Sequence, residues 1–311
     1  RQNKSCLIGF LMCSAFSLVV QAATDGAHIT KTISQIERKK GIKRTIQYRP
    51  DGNDFVCVNG KNRYTRALYG GITDFRIETS DRPVFAAYKP KDSKHICFRL
   101  QCGNQSIALD SLKFCEARYR AGRRTYRLTD PLLGKGELNI SVLAFPDAEG
   151  GIWRFTMKDM PEGALLHCYI SEIRAKNLSR NGDMGADRAD SFDAPQLPKE
   201  QKHYKLSLDG TTAYIVVEDQ ELRLPALVEG TSLYDKSEKW RSEIESSLQI
   251  STPDPYFNPL GGALAAAADG IWDGKIWLHG AIGWRSQLNG WRAAYIGDFI
   301  GWHDRARTHF D

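Results

Sequence analysis

Between about residues 42 and 250 the chain repeats one pattern: short runs of alternating side chains, rich in β-branched and aromatic residues, cut by turn signals. The runs fall at 43–48, 54–58, 72–79, 84–88, 96–100, 115–119, 125–128, 137–144, 152–157, 164–170, 204–208 and 213–218. Asp51-Gly52, Asn59-Gly60, Gly70-Gly71, Gly122 and Asp209-Gly210 separate them. Alternation puts successive side chains on opposite faces of a strand. Short strands at this spacing, with no helical runs between them, predict an antiparallel β-sandwich, and the segment is long enough to bury a two-sheet core. Lys39-Lys40, Lys43-Arg44 and the arginines between Arg118 and Arg127 are interleaved with strand-forming residues. They read as solvated strand faces, and the charge is too mild and too scattered for a nucleic-acid surface.

The first residues read as an address. Arg1 and Lys4 precede an apolar run from Cys6 to Val20, and small residues follow at Ala22 and Ala23. That order describes a secretory signal peptide over residues 1–23, since a spanning helix needs ~20 apolar residues. The expectation is export to the periplasm or beyond the cell, with no membrane span after cleavage. A first residue other than Met points to a trimmed or incomplete reading frame. Cleavage removes Arg1 and Lys4 and no acid, so the formal charge of +6 drops by two. Five cysteines remain, at 57, 97, 102, 115 and 168. No Cys-x-x-Cys spacing marks a zinc site. Cys97–Cys115 is a conceivable disulfide on adjacent strands, and buried free thiols are the better expectation. We expect neither a metal nor a cofactor.

Residues 179–201 form a polar loop with Asp183, Asp187, Asp190 and Asp193, which lacks the order of residues of a calcium loop. It reads as a surface loop long enough to reach a neighbouring cleft. A polar linker helix is expected near 237–248, and Pro253, Pro255 and Pro259 then mark a boundary, giving a β domain over 24–250 and a second unit over 251–311. Gly261 to Ala268 is a small-residue helix candidate. Five of the seven tryptophans fall between Trp272 and Trp302, an enrichment no ordinary core helix requires.

If residues 291–310 form one helix, steps of four and three place Trp291, Tyr295, Asp298, Trp302, Arg305 and His309 on one stripe. Indole faces suit the C–H faces of a pyranose, and Asp and Arg suit its hydroxyls or a uronate carboxylate. Trp291, Arg292, Asp298, Trp302 and Arg305 are the candidate sugar-positioning residues, joined by Trp284 and Arg285 from the preceding loop. His303 and Asp304 lie beside them, with His303 able to hydrogen-bond or to carry a proton. A structural ion-pair network, with Asp304 on Arg305 or Arg307, is the competing reading. Asp269, Asp273, Asp298 and Asp304 are the candidate carboxylates for glycosidic chemistry, which needs two such groups at set separations.

Residues 62–76, 129–143 and 258–310 resemble an uncharacterised family of exported bacterial proteins assigned to the six-hairpin glycosidases. The most specific phrases are Thr-Asp-Pro-Leu-Leu-Gly-Lys-Gly-Glu-Leu-Asn from Thr129 and Gly-Trp-His-Asp-Arg-Ala-Arg-Thr-His-Phe from Gly301. The resemblance implies a mainly β architecture: an N-terminal β-sandwich followed by an (α/α)6 toroid, of which only the first helices would be present. It implies glycoside hydrolysis on a poly- or oligosaccharide, with the principal catalytic acid on a later helix beyond Asp311. The alternative is a non-catalytic glycan-binding or accessory β-sandwich module. Glycan, linkage and oligomeric state are not fixed by the sequence.

Overall fold

Phase decides which face of each strand is buried. Along Arg123–Thr129, Arg124, Tyr126 and Leu128 are fully buried, whereas Arg123, Thr125 and Arg127 remain partly exposed. A computed structural model describes residues 47–89, 92–173, 203–278 and 290–311. Among these the chain is mainly β: fifteen strands, β1 to β15 in chain order, form two antiparallel sheets.

The first sheet runs in the order β1 (Arg49–Asp51), β2 (Asp54–Val58), β8 (Phe114–Arg120), β9 (Arg123–Thr129), β10 (Glu137–Ala144), β11 (Gly150–Lys158), β14 (Thr212–Glu218) and β15 (Glu221–Arg223). The second runs β13 (Tyr204–Ser207), β12 (Leu165–Glu172), β6 (Lys94–Cys102), β5 (Phe85–Tyr88), β4 (Arg76–Thr79) and β3 (Arg66–Tyr69), with β7 (Gln105–Ala108) paired to β6. The expected runs at 54–58 and 137–144 are β2 and β10 residue for residue.

The two sheets enclose one apolar core. Phe85 from the second sheet meets Tyr126 and Trp153 from the first edge-to-face, each at 5.6 Å between ring centres, and Phe98 meets Phe155 likewise at 5.6 Å. Such pairs add directionality to area burial. Where the sheets' rims meet, the Gly71 amide donates to the Phe145 carbonyl at 3.1 Å, and a Cβ at Gly71 would collide with the Pro146 carbonyl. Only glycine permits that approach.

Four helices follow among the described residues: α1 (Leu227–Ser246), α2 (Leu260–Gly270), α3 (Trp291–Phe299) and α4 (His303–Phe310). The helix expected near 237–248 thus starts earlier, at Leu227, and ends at Ser246. α1 lies on the outward face of the first sheet, where Tyr234 packs against Leu143, Ile152, Tyr214 and Val216. Tyr234 and Ser141 share a hydroxyl–hydroxyl hydrogen bond of 2.6 Å, and Gly230 lets the helix close on the Tyr214 ring. Glu238 and Glu245 accept from Arg123 and Arg120 on the sheet and from Arg241 on the helix. The proposed helix over 291–310 is likewise two helices. It breaks at Ile300 to Trp302, where Gly301 takes φ +95°, a conformation that favours glycine.

The five described cysteines are unpaired. Cys97 and Cys115 belong to different sheets, on β6 and β8, and burial pushes both thiols up to about 12. The pairing conceived on adjacent strands is therefore not formed. Among the described residues no helix is long and apolar enough to cross a membrane. The expected leader at 1–23, the expected polar loop at 179–201, Trp284 and Arg285 lie outside the described residues.

Candidate functional site

The helical segment is organised around one indole. Trp277 is fully buried, and its Nε1 donates to the Ala268 carbonyl at 2.8 Å, at the end of α2. Its backbone amide donates to Nδ1 of His309 on α4 at 3.0 Å. Gly297 on α3 sits directly on the ring, where any Cβ would collide with it. Ala293, Ala294 and Ala306 complete the small-residue shell. Small residues at these positions let three helices approach one large side chain. The same segment is tied to the second sheet, since Thr73 Oγ1 donates to the Trp272 carbonyl at 2.6 Å and Gly270 rests on Tyr69.

At the mouth of this cluster stands the arrangement with the most chemistry. Arg305 donates to Asp269 Oδ1 at 2.7 Å, and its guanidinium lies 4.6 Å from the Trp302 ring centre and 5.8 Å from that of Trp272. A planar guanidinium between two indoles keeps its fork fixed while leaving donors over for a second acceptor. Asp269 is largely buried, with 10% of its side chain exposed, and Arg305 is one-third exposed. Burial raises the Asp269 pKa above the ordinary carboxylate range, and the Arg305 hydrogen bond and charge pull the other way.

That raised pKa has a measurable consequence. The unfolded chain loses this proton near pH 4, before the folded chain does, so the group's contribution to stability is full below that pH. It is lost as pH rises through the folded pKa. The melting temperature of Asp269→Asn, compared with the parent chain, is therefore expected to shift in the variant's favour as pH climbs from about 4. A constant offset between the two profiles, or a shift in the parent's favour as a dominant ion pair would give, would show that Asp269 does not titrate in this way.

The structure distributes the other predicted residues around this centre. His303 Nδ1 and Asp298 Oδ1 are hydrogen-bonded at 2.7 Å on the surface. Asp304 pairs with Arg307 at 3.1 Å, fully in solvent. Trp291 packs edge-on against Tyr295 at 5.3 Å, with the Arg292 guanidinium 5.1 Å from its ring centre. Trp291, Tyr295, Phe299 and Phe310 are exposed. His309 instead faces inward, because the break at Gly301 turns α4 relative to α3, so the single stripe is divided. Trp302 and Arg305 are the two predicted residues brought together at this centre, while Asp298 and His303 meet each other on the surface. The partners of Trp302 and Arg305, Asp269 and Trp272, come from more than twenty-five residues earlier.

Sequence reasoning also missed a polar cleft of about 350 Å³ on the outward face of the first sheet, crossing β8 to β11 beside α1. Its signal was present in the odd-numbered phase of β9, where Arg123, Thr125 and Arg127 share a face.

The comparisons bear on this half of the molecule. Residues 90–218 match a domain of unknown function, DUF4450. The matched span opens just before β6 and closes with β14, so it takes in all four strands of the cleft and none of the helices. No curated protein matches the chain.

Proposed function

We propose that this chain is the leading part of an exported, glycoside-hydrolase-like protein acting on a poly- or oligosaccharide, and that Asp269, Trp272, Trp302 and Arg305 contact the sugar. The observation that carries the proposal is the Arg305 guanidinium held between two indoles with a largely buried carboxylate in reach. Aromatic faces and paired charges are what a pyranose ring requires, one for its C–H faces and the other for its hydroxyls. Asp269 is a positioning group in this reading, because its Oδ1 is held by Arg305 at 2.7 Å. The catalytic carboxylates remain unassigned, and the helices from α2 onward are taken as the opening of an (α/α)6 toroid.

Tryptophan emission of the full chain reports on the site directly. Gluco-, xylo- and manno-oligosaccharides, titrated in turn, are expected to give a saturable change with at least one of them. Trp302→Ala should weaken that binding about tenfold, or ~1.4 kcal/mol, with the far-UV spectrum unchanged. A flat response to all three, or full affinity in Trp302→Ala, would end the proposal.

A further inference from the structure

The cleft on the first sheet has a different chemistry from the helical pocket. Its wall carries four guanidinium groups, and three of them already meet carboxylates. Arg118 meets Asp51 at 2.7 Å, Glu116 at 2.9 Å and Asp54 at 3.5 Å. Arg127 meets Glu137 and Glu116 at 3.3 and 3.6 Å, and Arg123 meets Glu238 at 2.8 Å. Arg154 alone among the four meets no carboxylate among the described residues. It lies 3.9 Å from the ring centre of Tyr234, whose buried hydroxyl is anchored to Ser141. Stacking of this kind presents the edge of the guanidinium, the edge that binds a carboxylate with two parallel hydrogen bonds.

Around it, hydrogen-bonding capacity is left over. Asn139 spends Nδ2 on Glu137 at 2.9 Å and keeps Oδ1. Thr125 and Thr156 make no side-chain hydrogen bond among the described residues and line the same cleft. The register brings these groups together: Asn139 stands opposite both Arg127 and Thr156, and Ser141 opposite Arg154. The volume falls within the ~300–1,000 Å³ of small-ligand sites.

We propose that this cleft is a second carbohydrate site, selective for a uronate-bearing glycan. Arg154 receives the carboxylate, and Thr125, Asn139 and Thr156 bond the ring hydroxyls. One uncompensated cation among three neutralised ones receives a single carboxylate of the ligand and does not match the dense phosphate charge of a nucleic acid. The proposal shares a carbohydrate ligand with the function proposed above but uses none of the same residues, so either can fail alone.

Calorimetric titration of the full chain with oligogalacturonate, oligoglucuronate and oligomannuronate tests it, together with the methyl ester of whichever acid binds. The ester keeps the ring and removes the charge. At least one acid is expected to bind, its ester about tenfold or more weaker. Arg154→Gln should cost the acid a similar factor and the ester little. Four outcomes would overturn the proposal: no uronate binds, acid and ester bind alike, Arg154→Gln binds as the parent does, or duplex DNA competes at equal affinity. Circular dichroism of Arg154→Gln establishes that lost binding is not lost folding, and Arg154→Lys, which keeps the charge but not the fork, should recover only part of the affinity.

Discussion

Trp277→Ala is expected to dissolve the packing of α3 and α4 while leaving the two sheets folded. The indole touches all three of the last helices, is fully buried, and satisfies the Ala268 carbonyl that ends α2. Truncating a buried tryptophan to alanine costs ~3–5 kcal/mol through lost transfer energy and the cavity left behind. The helices cannot collapse into that cavity easily, because their facing residues are already Gly297, Ala293, Ala294 and Ala306. α3 has nine residues and α4 eight, and helices of that length are marginal without tertiary contacts. Local stability of this size is read by amide hydrogen exchange. Amides of α3 and α4 should lose protection in Trp277→Ala while those of β10 and β11 keep theirs. Trp277→Phe keeps most of the packing and drops the Nε1 bond, so it should lose ~1 kcal/mol. Undiminished α3 and α4 protection in Trp277→Ala would show that the segment is held by other contacts.

What could be foreseen from the sequence follows the length of each periodic run. β10 spans eight residues and β11 nine, long enough for alternation to identify them. β1, β3, β7 and β15 have three or four residues each and were not foreseen, whereas the equally short β4, β5 and β13 fall within longer alternating runs. The first half of α1, before Ser237, escaped for a different reason. The helix's buried positions are Gly230, Tyr234, Ser237 and Arg241, at helical spacing but without an aliphatic stripe, because the helix lies on a polar strand face. Its one large apolar anchor is Tyr234, and its other partners there are arginines and a serine hydroxyl, so hydrophobic periodicity has little to detect. The candidate site divides in the same way. Trp302 and Arg305 belong to a local concentration of aromatic and charged residues and were visible. Asp269 and Trp272 join them only through the turn that buries Trp277. The position of the helix break was marked by Gly301, which sits inside an otherwise helical run.

The second large effect is expected from Asp81→Ala. Asp81 lies between β4 and β5 with no exposed side-chain surface, and Arg124 on β9 faces it with none either. The carboxylate accepts from the Asn62 amide at 2.9 Å, from Thr65 Oγ1 at 3.1 Å and from the Tyr48 hydroxyl. Arg124 Nη2 donates to the Ser80 carbonyl at 2.9 Å and to Tyr48 at 3.1 Å, while Nε and Nη1 have no hydrogen-bond partner among the described residues. Arg124 Nη2 lies 3.9 Å from Asp81 Oδ1, so the attraction acts inside the core, where screening is weak. Removing Asp81 leaves a guanidinium that cannot lose its proton buried without its counter-charge, and breaking a buried pair from one side costs ~3–5 kcal/mol. Arg124→Met in the same chain removes the stranded charge, and its long apolar side chain fits the space between Tyr48 and Tyr126. The double variant should therefore be more stable than Asp81→Ala alone, with a coupling of ~1 kcal/mol or more in a mutant cycle from denaturant melts. Additive losses would mean that Asp81 acts only as a hydrogen-bond acceptor for the Asn62 and Thr65 turn. A positive coupling would identify the pair as the electrostatic tie between the two sheets, since Asp81 follows β4 of the second sheet and Arg124 belongs to β9 of the first.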